Sequence, residues 1–165
     1  MANTSHRDVS PDIARSWLLV NATRPETFDA AALAGDLAAL QSDRAPRRLP
    51  RYSRVSHDPE PDSICVDAEA EWVFVEGNFL FLDAPVWRDM RDRFDCRIYL
   101  DADDAVLQER LFGRHRRGGK PPEHIRAHFD RVDGPNIRRV RASRPYADMA
   151  FHWDTAQGWQ PAPVD

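Results

Sequence analysis

Four arginines and a lysine crowd into one short stretch of the chain that also contains a glycine pair: Arg110, Arg114, Arg116, Arg117 and Lys120. One guanidinium group can donate two parallel hydrogen bonds to phosphate oxygens. Its positive charge also neutralises the negative charge that spreads over a transferring phosphoryl group. Positions 110, 114 and 117 share one face of a helix, so three cations can converge on one anion. Cations are also favoured at any helix end by the helix dipole. The run therefore predicts either a phosphate site or an ordinary basic helix end.

A carboxylate, Glu76, follows the apolar run at residues 73–75 and precedes Gly77 and Asn78. The run is typical of a central parallel strand that is buried on both faces. Ligands of open α/β sheets gather at the carboxyl ends of such strands. A carboxylate there can hold Mg²⁺, directly or through water, as phosphoryl transfer requires. Glu76 can equally cap the next turn or pair with an arginine.

A third group of polar side chains lies in the segment LPRYSRVSHDP, where Tyr52, Arg54 and His57 stand close together in sequence. An aromatic ring, a cation and an imidazole can together stack on and hydrogen-bond a small polar substrate. The surrounding residues 42–61 are rich in proline, arginine, aspartate and serine, which predicts a long surface loop. A solvated loop with an incidental histidine fits the same residues.

The spacing of apolar residues predicts the helices and strands that must position these side chains. Leu33, Leu37 and Leu40 form one apolar stripe of a helix that Thr27 or Asp29 caps. The run CRIYL predicts a strand that feeds a helix, further helical patterns extend to position 140, and residues 149–153 alternate as a last strand. Strands that alternate with helices predict a single α/β domain over residues 1–165 with a parallel sheet.

Composition excludes several classes of protein. The 165 residues carry a formal net charge of -4, which does not favour a nucleic-acid binder. The apolar runs fall short of the roughly 20 residues that span a bilayer, so no membrane partner is expected. The first residues carry no basic or apolar leader, which predicts a cytoplasmic location. Cys65 and Cys96 are isolated in apolar segments and are expected to be buried, reduced thiols.

Six segments in order resemble the uridine kinase and phosphoribulokinase branch of P-loop kinases, particularly its bacterial nucleoside or nucleotide kinase-like members. They are RPETFD, PRYSRVSHDP, VFVEGNFLFLD, FDCRIYLDADDAVLQERLFGR, DGPN and RPYADM. The resemblance covers about residues 24–153. It implies a three-layer α/β fold with the parallel sheet of P-loop NTPases, and a lid at about residues 113–122.

This resemblance implies an ATP-dependent kinase that moves the γ-phosphoryl group of ATP to a hydroxyl of a nucleoside, sugar or pantothenate-like small molecule. The implied cofactors are ATP and Mg²⁺. The implied site residues are Arg110, Arg114 and Arg117 for the ATP phosphates, Glu76 and Arg114 for catalysis with Glu76 also as the Mg²⁺ ligand, and Tyr52, Arg54 and His57 for the acceptor substrate.

The chain departs from the family pattern in one respect, because its sequence contains no GxxxxGK[ST] motif. We therefore expect a fold that is incomplete at its N-terminus, through a misassigned start, a frameshift or true degeneration. The alternative function is that of an inactive homologue or fragment that acts as a binding or regulatory protein. A sheet without its first central strand would expose an apolar edge, which predicts either a homodimer or an unstable protein.

Overall fold

A computed structural model describes residues 25–27, 29–42, 45–53 and 59–165 of the protein. Its α-helices are α1 (Ala30–Ser42), α2 (Pro85–Arg91), α3 (Asp104–Arg117), α4 (Pro122–His128) and α5 (Gly134–Arg141). Its strands are β1 (Arg47–Tyr52), β2 (Pro59–Val66), β3 (Ile98–Ala102), β4 (Met149–Asp154) and β5 (Gly158–Ala162). Short 3-10 turns occupy Pro25–Thr27 and Arg144–Tyr146, and a π turn (Phe129–Asp133) joins α4 to α5.

The larger sheet has the strand order β3-β4-β5. Strands β3 and β4 run parallel, with Ile98 opposite Met149 and Ala102 opposite Trp153, and helices α3 to α5 form the crossover between them. The predicted strand at CRIYL, the helix after it and the strand at residues 149–153 are confirmed. The expectation that the last of these ends the fold is wrong, because β5 folds back antiparallel on β4.

The predicted surface loop at residues 42–61 is corrected by the structure, since β1 and the start of β2 lie within it and pair antiparallel. Pairing buries Leu49, Ile64 and Val66 against Leu40 of α1. The register shifts between residues 49 and 51, around Pro50, whose missing N–H cannot join a ladder. The burial of three apolar side chains thus outweighs the loop-like composition.

The predicted central strand at residues 73–75 is also corrected, because residues 71–77 have no regular secondary structure. A strand needs a neighbour for its backbone hydrogen bonds, and in the part of the chain that the structure describes this segment pairs with none. Trp72 is 79% exposed and Phe74 65% exposed, while Val75 packs on the core. An apolar run predicts burial, but only a partner strand makes it a strand.

The main core lies between α1, the turn at residues 79–82 and α2. Leu33 and Leu37 of α1 are buried as the stripe predicts, and the Oδ1 atom of Asp29 caps the helix by accepting the N–H of Ala32 at 2.9 Å. Met90 of α2 is fully buried, and burial of such a side chain contributes about 1.5–3 kcal/mol. The remaining large core residues are Phe79, Leu80, Leu82 and Trp87.

Helices α4 and α5 form one continuous rod with an irregular centre. In the π turn the backbone N–H of Gly134 bonds the carbonyl of Phe129, five residues earlier instead of four. The rings of Phe112 and Phe129 meet edge to face at 5.4 Å and hold this turn against α3. The rod therefore packs beside α3 with a change of helical phase at its middle.

Both cysteines are free, as predicted, but both are exposed, so the expectation of buried thiols is wrong. Cys65 lies on the outward side of β2, between the buried Ile64 and Val66. Side chains alternate between the two faces of a strand, and this alternation places Cys65 on the exposed face although its neighbours in sequence are apolar. Among the described residues, no helix combines the length and the apolar character needed to cross a membrane.

Candidate functional site

A cavity of about 500 Å³ opens at the carboxyl end of β3, between α3 and α5. Ligands of α/β sheets bind at this edge. The volume falls in the range of small-molecule sites, about 300–1,000 Å³. The lining residues are Asn78 and Phe79, then Tyr99, Leu100 and Asp101 of β3, then Leu107, Arg110, Leu111, Arg114 and Arg117 of α3, and then Asp133, Asn136, Ile137, Val140 and Arg141.

One wall of the cavity carries three arginines of α3. Arg110, Arg114 and Arg117 are four and three residues apart, so one helical face presents all three. In the described part of the chain none of them forms an ion pair with a carboxylate. The guanidinium carbon of Arg110 lies 4.7 Å from the ring centre of Trp153 on β4, which holds this side chain by a cation–π contact. The wall is therefore positive and available to an anion.

The opposite wall is balanced in charge. Arg141 pairs with Asp104 at 2.6 Å, and its Nη2 donates to the carbonyl of Ala102 at 3.1 Å. Burial works to lower the pKa of Arg141, but the hydrogen bond with Asp104 and the charge of Asp101 outweigh burial and raise the pKa above its ordinary value. Arg141 is therefore committed to protein contacts.

Asp101 is the centre of this balanced wall. Its carboxylate accepts the N–H of Ala102 at 2.8 Å and pairs with Arg144 at 3.3 Å. Burial raises the pKa of the neighbouring Tyr99 to about 12, and the negative charge of Asp101 adds to the effect. Tyr99 consequently stays an uncharged phenol at neutral pH and contributes apolar surface to the cavity floor.

The structure brings together some of the residues expected from sequence and leaves others apart. Arg110, Arg114 and Arg117 share the cavity wall. Glu76 is exposed and is not among the lining residues, although Asn78 two positions later is. Tyr52 ends β1 in the two-stranded sheet, whereas Arg54 and His57 lie outside the described residues.

Several lining residues were not identified from sequence. Asp101 follows an apolar run at the end of a strand, the same signal that points to Glu76, and this signal could have identified it. Asn136 belongs to the DGPN segment, whose pattern assigns no role to the amide. Nothing in the local sequence reveals Arg141 as a wall residue, because its contacts with Asp101 and Asp104 depend on the packing of α5 on β3.

The cavity fits a nucleoside triphosphate in its general chemistry. Three cations that have no carboxylate partner in the described part of the chain match a polyphosphate chain, while Ile137 and Val140 supply apolar surface for a flat ring. Asn136 adds a side-chain amide, which is both donor and acceptor. A divalent cation prefers oxygen ligands. Asp101 is already bound to arginines, whereas the exposed Glu76 lies outside this network and is a candidate ligand.

Comparisons with known proteins place these features in context. No protein-family model matches the chain. The Escherichia coli protein YggC, whose function is uncharacterised, is 36% identical over 139 residues, which cover 81% of this chain and 57% of YggC. The Schizosaccharomyces pombe protein C227.14, named as a proposed uridine kinase, is 34% identical over 129 residues, or 76% of this chain and 54% of that protein.

A pantothenate kinase of Rhodopseudomonas palustris is 31% identical over 103 residues, which are 59% of this chain and 32% of the enzyme. The chain thus spans about half the length, or less, of these relatives. Among solved structures, a Silicibacter protein described as a proposed fructose transport system kinase superposes with a TM-score of 0.70 and 30% identity, over 80% of this chain and 63% of its own.

The Saccharomyces cerevisiae protein YFH7, described as a proposed P-loop kinase, superposes with a TM-score of 0.63 over 73% of this chain and 45% of its own. Its sequence is only 20% identical, so this likeness concerns the fold alone. Both solved structures and two of the three sequence relatives are named or described as kinases.

Proposed function

Because the chain belongs to the uridine kinase and phosphoribulokinase-like family of P-loop kinases and has their α/β fold, we propose that it acts in the ATP-dependent phosphorylation of a small molecule. The γ-phosphoryl group of ATP would pass to a hydroxyl group of the acceptor. One observation carries the proposal: Arg110, Arg114 and Arg117 face one cavity without carboxylate partners in the described part of the chain.

The three arginines divide the work according to their order along α3. Arg110 and Arg117 bind non-transferring phosphate oxygens, and Arg114 between them faces the transferring group. As that group moves, negative charge spreads over its equatorial oxygens, and a fixed guanidinium stabilises this charge without reorganisation. The cation–π contact with Trp153 supports the Arg110 side chain at this wall.

Glu76 is proposed as the carboxylate that serves Mg²⁺. Such an ion, when bound, neutralises phosphate charge and orients the phosphates for in-line attack. Glu76 lies two positions before Asn78, which lines the cavity, and this closeness in sequence supports the role. A carboxylate that remains exposed and outside the Asp101 network keeps its oxygens available.

The acceptor is proposed to be a small molecule that bears a hydroxyl group. Uridine, pantothenate and fructose, which occur in the names of the relatives, all have hydroxyl groups but differ in shape. Tyr52, Arg54 and His57 are proposed to bind the acceptor through ring stacking and hydrogen bonds. A cytoplasmic location accompanies this proposal, since ATP is a cytoplasmic substrate.

The alternative function that the sequence leaves open is that of a binding or regulatory protein, which would bind ligands in the same cavity without phosphoryl transfer.

The homodimer expected from the sequence is compatible with large apolar side chains at the surface, namely Trp72, Phe74, Ile98 and Leu100. Analytical ultracentrifugation measures that state directly. A monomer at micromolar concentration would contradict it.

The central experiment separates transfer from binding. The purified chain is incubated with ATP, Mg²⁺ and uridine, pantothenate or fructose, and phosphorylated product is detected by mass spectrometry. We expect Arg114→Ala to reduce turnover at least tenfold, about 1.4 kcal/mol of transition-state stabilisation. The matched control is Arg116→Ala, which removes an exposed arginine of the same helix outside the cavity wall.

The possible outcomes distinguish a kinase from a binding protein. Product formation that depends on Arg114 and not on Arg116 supports the kinase. Binding of ATP without any product supports the binding protein. Equal loss in both variants would contradict the assignment of the cavity wall, because only the general charge of α3 would then matter.

A further inference from the structure

Two histidines and an aspartate meet beyond the arginine wall, where α3, α4 and the π turn come together. Nε2 of His115 lies 2.8 Å from Oδ2 of Asp133, and Nε2 of His128 lies 3.9 Å from Oδ1 of the same carboxylate. The two imidazole rings stand edge to face with centres 4.8 Å apart. The side chains are only 11%, 17% and 10% exposed for His115, His128 and Asp133, respectively.

The π turn creates this arrangement. His128 and Asp133 are five residues apart, and an α-helix would point positions i and i+5 in diverging directions. The i→i+5 hydrogen bond from Gly134 to Phe129 widens the turn and brings the two side chains to one face. Single π turns occur often at functional sites. The packing of Phe112 on Phe129 then holds His115 of α3 opposite them.

An ordinary ion pair explains only part of the cluster. The short contact between His115 and Asp133 accounts for those two residues, but Nε2 of His128 is buried and has no hydrogen-bond partner among the residues that the structure describes. A buried polar atom without a partner costs about 1–3 kcal/mol. A bound metal ion would give this nitrogen the partner that it lacks, because the neutral form of imidazole is a metal ligand.

We propose that His115, His128 and Asp133 bind a divalent transition-metal ion that links α3 to the α4–α5 rod. The chemistry of these ligands favours Zn²⁺. The three donor atoms lie within 4.8 Å of one another, so small side-chain shifts place each about 2.0–2.2 Å from one ion. Imidazole nitrogen selects Zn²⁺ over Mg²⁺ and Ca²⁺, which prefer oxygen ligands. This site is distinct from the Mg²⁺ role proposed for Glu76.

Proton balance follows from the ligand atoms. The contact of His115 with Asp133 requires a proton between them, and metal binding removes that proton from Nε2, either to Nδ1 of the same ring or to solvent. Three protein ligands leave a fourth position for water. The cations Lys120 and Arg131 near His128 oppose a bound cation, so we expect moderate affinity, on the order of micromolar rather than picomolar.

The site reaches the cavity through Asp133, which also lines it. A metal bound to this carboxylate would fix the cavity wall next to Asn136. The proposal does not depend on kinase activity, because metal binding is measured on the free chain.

The test uses the full chain, purified without a histidine tag and stripped of metal by a chelator. Zn²⁺ is titrated against a chromophoric competing chelator, with wild type, His128→Gln and His124→Gln in parallel. His124 is the matched control, since it is an exposed histidine of the same helix α4 outside the cluster. We expect one equivalent of Zn²⁺ per chain, unchanged in His124→Gln and weakened at least tenfold in His128→Gln.

A second measurement guards against a variant that fails to fold. Co²⁺ added to the wild-type chain should give the intense visible absorption of a low-coordinate nitrogen and oxygen site, and excess Mg²⁺ should not remove it. Circular dichroism confirms that each variant is folded. The proposal is overturned if folded wild type binds no Zn²⁺ near micromolar concentration, or if His128→Gln binds it as tightly as His124→Gln.

Discussion

Two groups of arginines, one on α3 and one around Asp101, lie at the same cavity and serve different purposes. Arg110, Arg114 and Arg117 on α3 project without carboxylate partners in the described chain, whereas Arg141 and Arg144 are held by Asp101 and its neighbours. The residue type is identical. What differs is whether an acid lies within reach, so the first group is available to a ligand and the second stabilises the fold.

The largest expected effect concerns the α3 group. The double variant Arg110→Ala with Arg114→Ala should reduce the affinity for inorganic tripolyphosphate by about 100-fold, because two charge-assisted hydrogen bonds of about 1.5 kcal/mol each are lost. The free energy of unfolding should fall by no more than about 1 kcal/mol, the contribution of the exposed cation–π contact between Arg110 and Trp153. Calorimetry at low ionic strength measures the affinity, and Arg116→Ala is the control. An unchanged tripolyphosphate affinity in the double variant would contradict the view that the α3 arginines bind the ligand.

Arg144 provides the reverse case. Its Nη1 lies 3.3 Å from Asp101, and its Nη2 donates to the carbonyl of Pro163 at 2.5 Å. Arg144→Ala should lower the free energy of unfolding by about 2 kcal/mol, since a partly buried carboxylate loses a partner. Tripolyphosphate affinity should change less than about twofold, because Arg144 contributes nothing to the α3 wall.

Urea denaturation measures this loss. The control is Arg126→Ala, which removes an exposed pair with Asp130 on α4 and should cost about 0.5 kcal/mol or less. If Arg126→Ala destabilises the protein as much as Arg144→Ala, then burial does not distinguish these ion pairs.

Salt should separate the two groups without any mutation. Raising the ionic strength from about 0.05 M to about 0.5 M shortens the Debye length severalfold and weakens exposed charge interactions. Tripolyphosphate affinity should therefore fall at least tenfold, about 1.4 kcal/mol. The stability difference between wild type and Arg144→Ala should hardly move, since that pair is partly shielded from solvent. A parallel decline of both quantities would contradict the comparison.

The smallest effect is expected at a surface pair outside the cavity, Arg97 and Asp148. The side-chain and backbone hydrogen bonds from Arg97 lower the pKa of Asp148 below its ordinary value of 3.8. A lowered pKa in the folded state stabilises the protein above pH 3.8, and this contribution disappears as the pH falls through the lower folded value.

Asp148→Asn should therefore be less stable than wild type near neutral pH, by less than the Arg144→Ala variant. The gap should close on acidification. Urea denaturation at a series of pH values measures it, and a gap that widens as the pH falls would show that the hydrogen bonds do not favour the carboxylate form.

Much of the fold is predictable from local pattern. The stripe through Leu33 and Leu37, and the apolar strand β3 followed by α3, are encoded within about a dozen consecutive residues each. The convergence of Arg110 and Arg114 follows from the same helical spacing. These features depend on a single element and its repeat.

The errors arise where a distant partner decides. Residues 73–75 have the composition of a buried strand but no strand beside them in the described chain, whereas the proline-containing β1 forms because β2 supplies its ladder. The cavity wall at Asp101 and Arg141, and the meeting of His115 with Asp133, equally require packing between elements far apart in sequence. No local repeat encodes such pairs.

The π turn between α4 and α5 also constrains how the sequence can change over time. One residue in an α-helix corresponds to a rotation of about 100°. The wide turn absorbs one residue, so deleting a single exposed residue here, such as Arg131, would restore regular helix and leave Asn136, Ile137 and Arg141 facing the cavity. A deletion in the regular part of α4 or α5 would instead rotate the residues that follow it by that angle. We therefore expect homologues to differ in length by one residue at the π turn more readily than within the helices on either side of it.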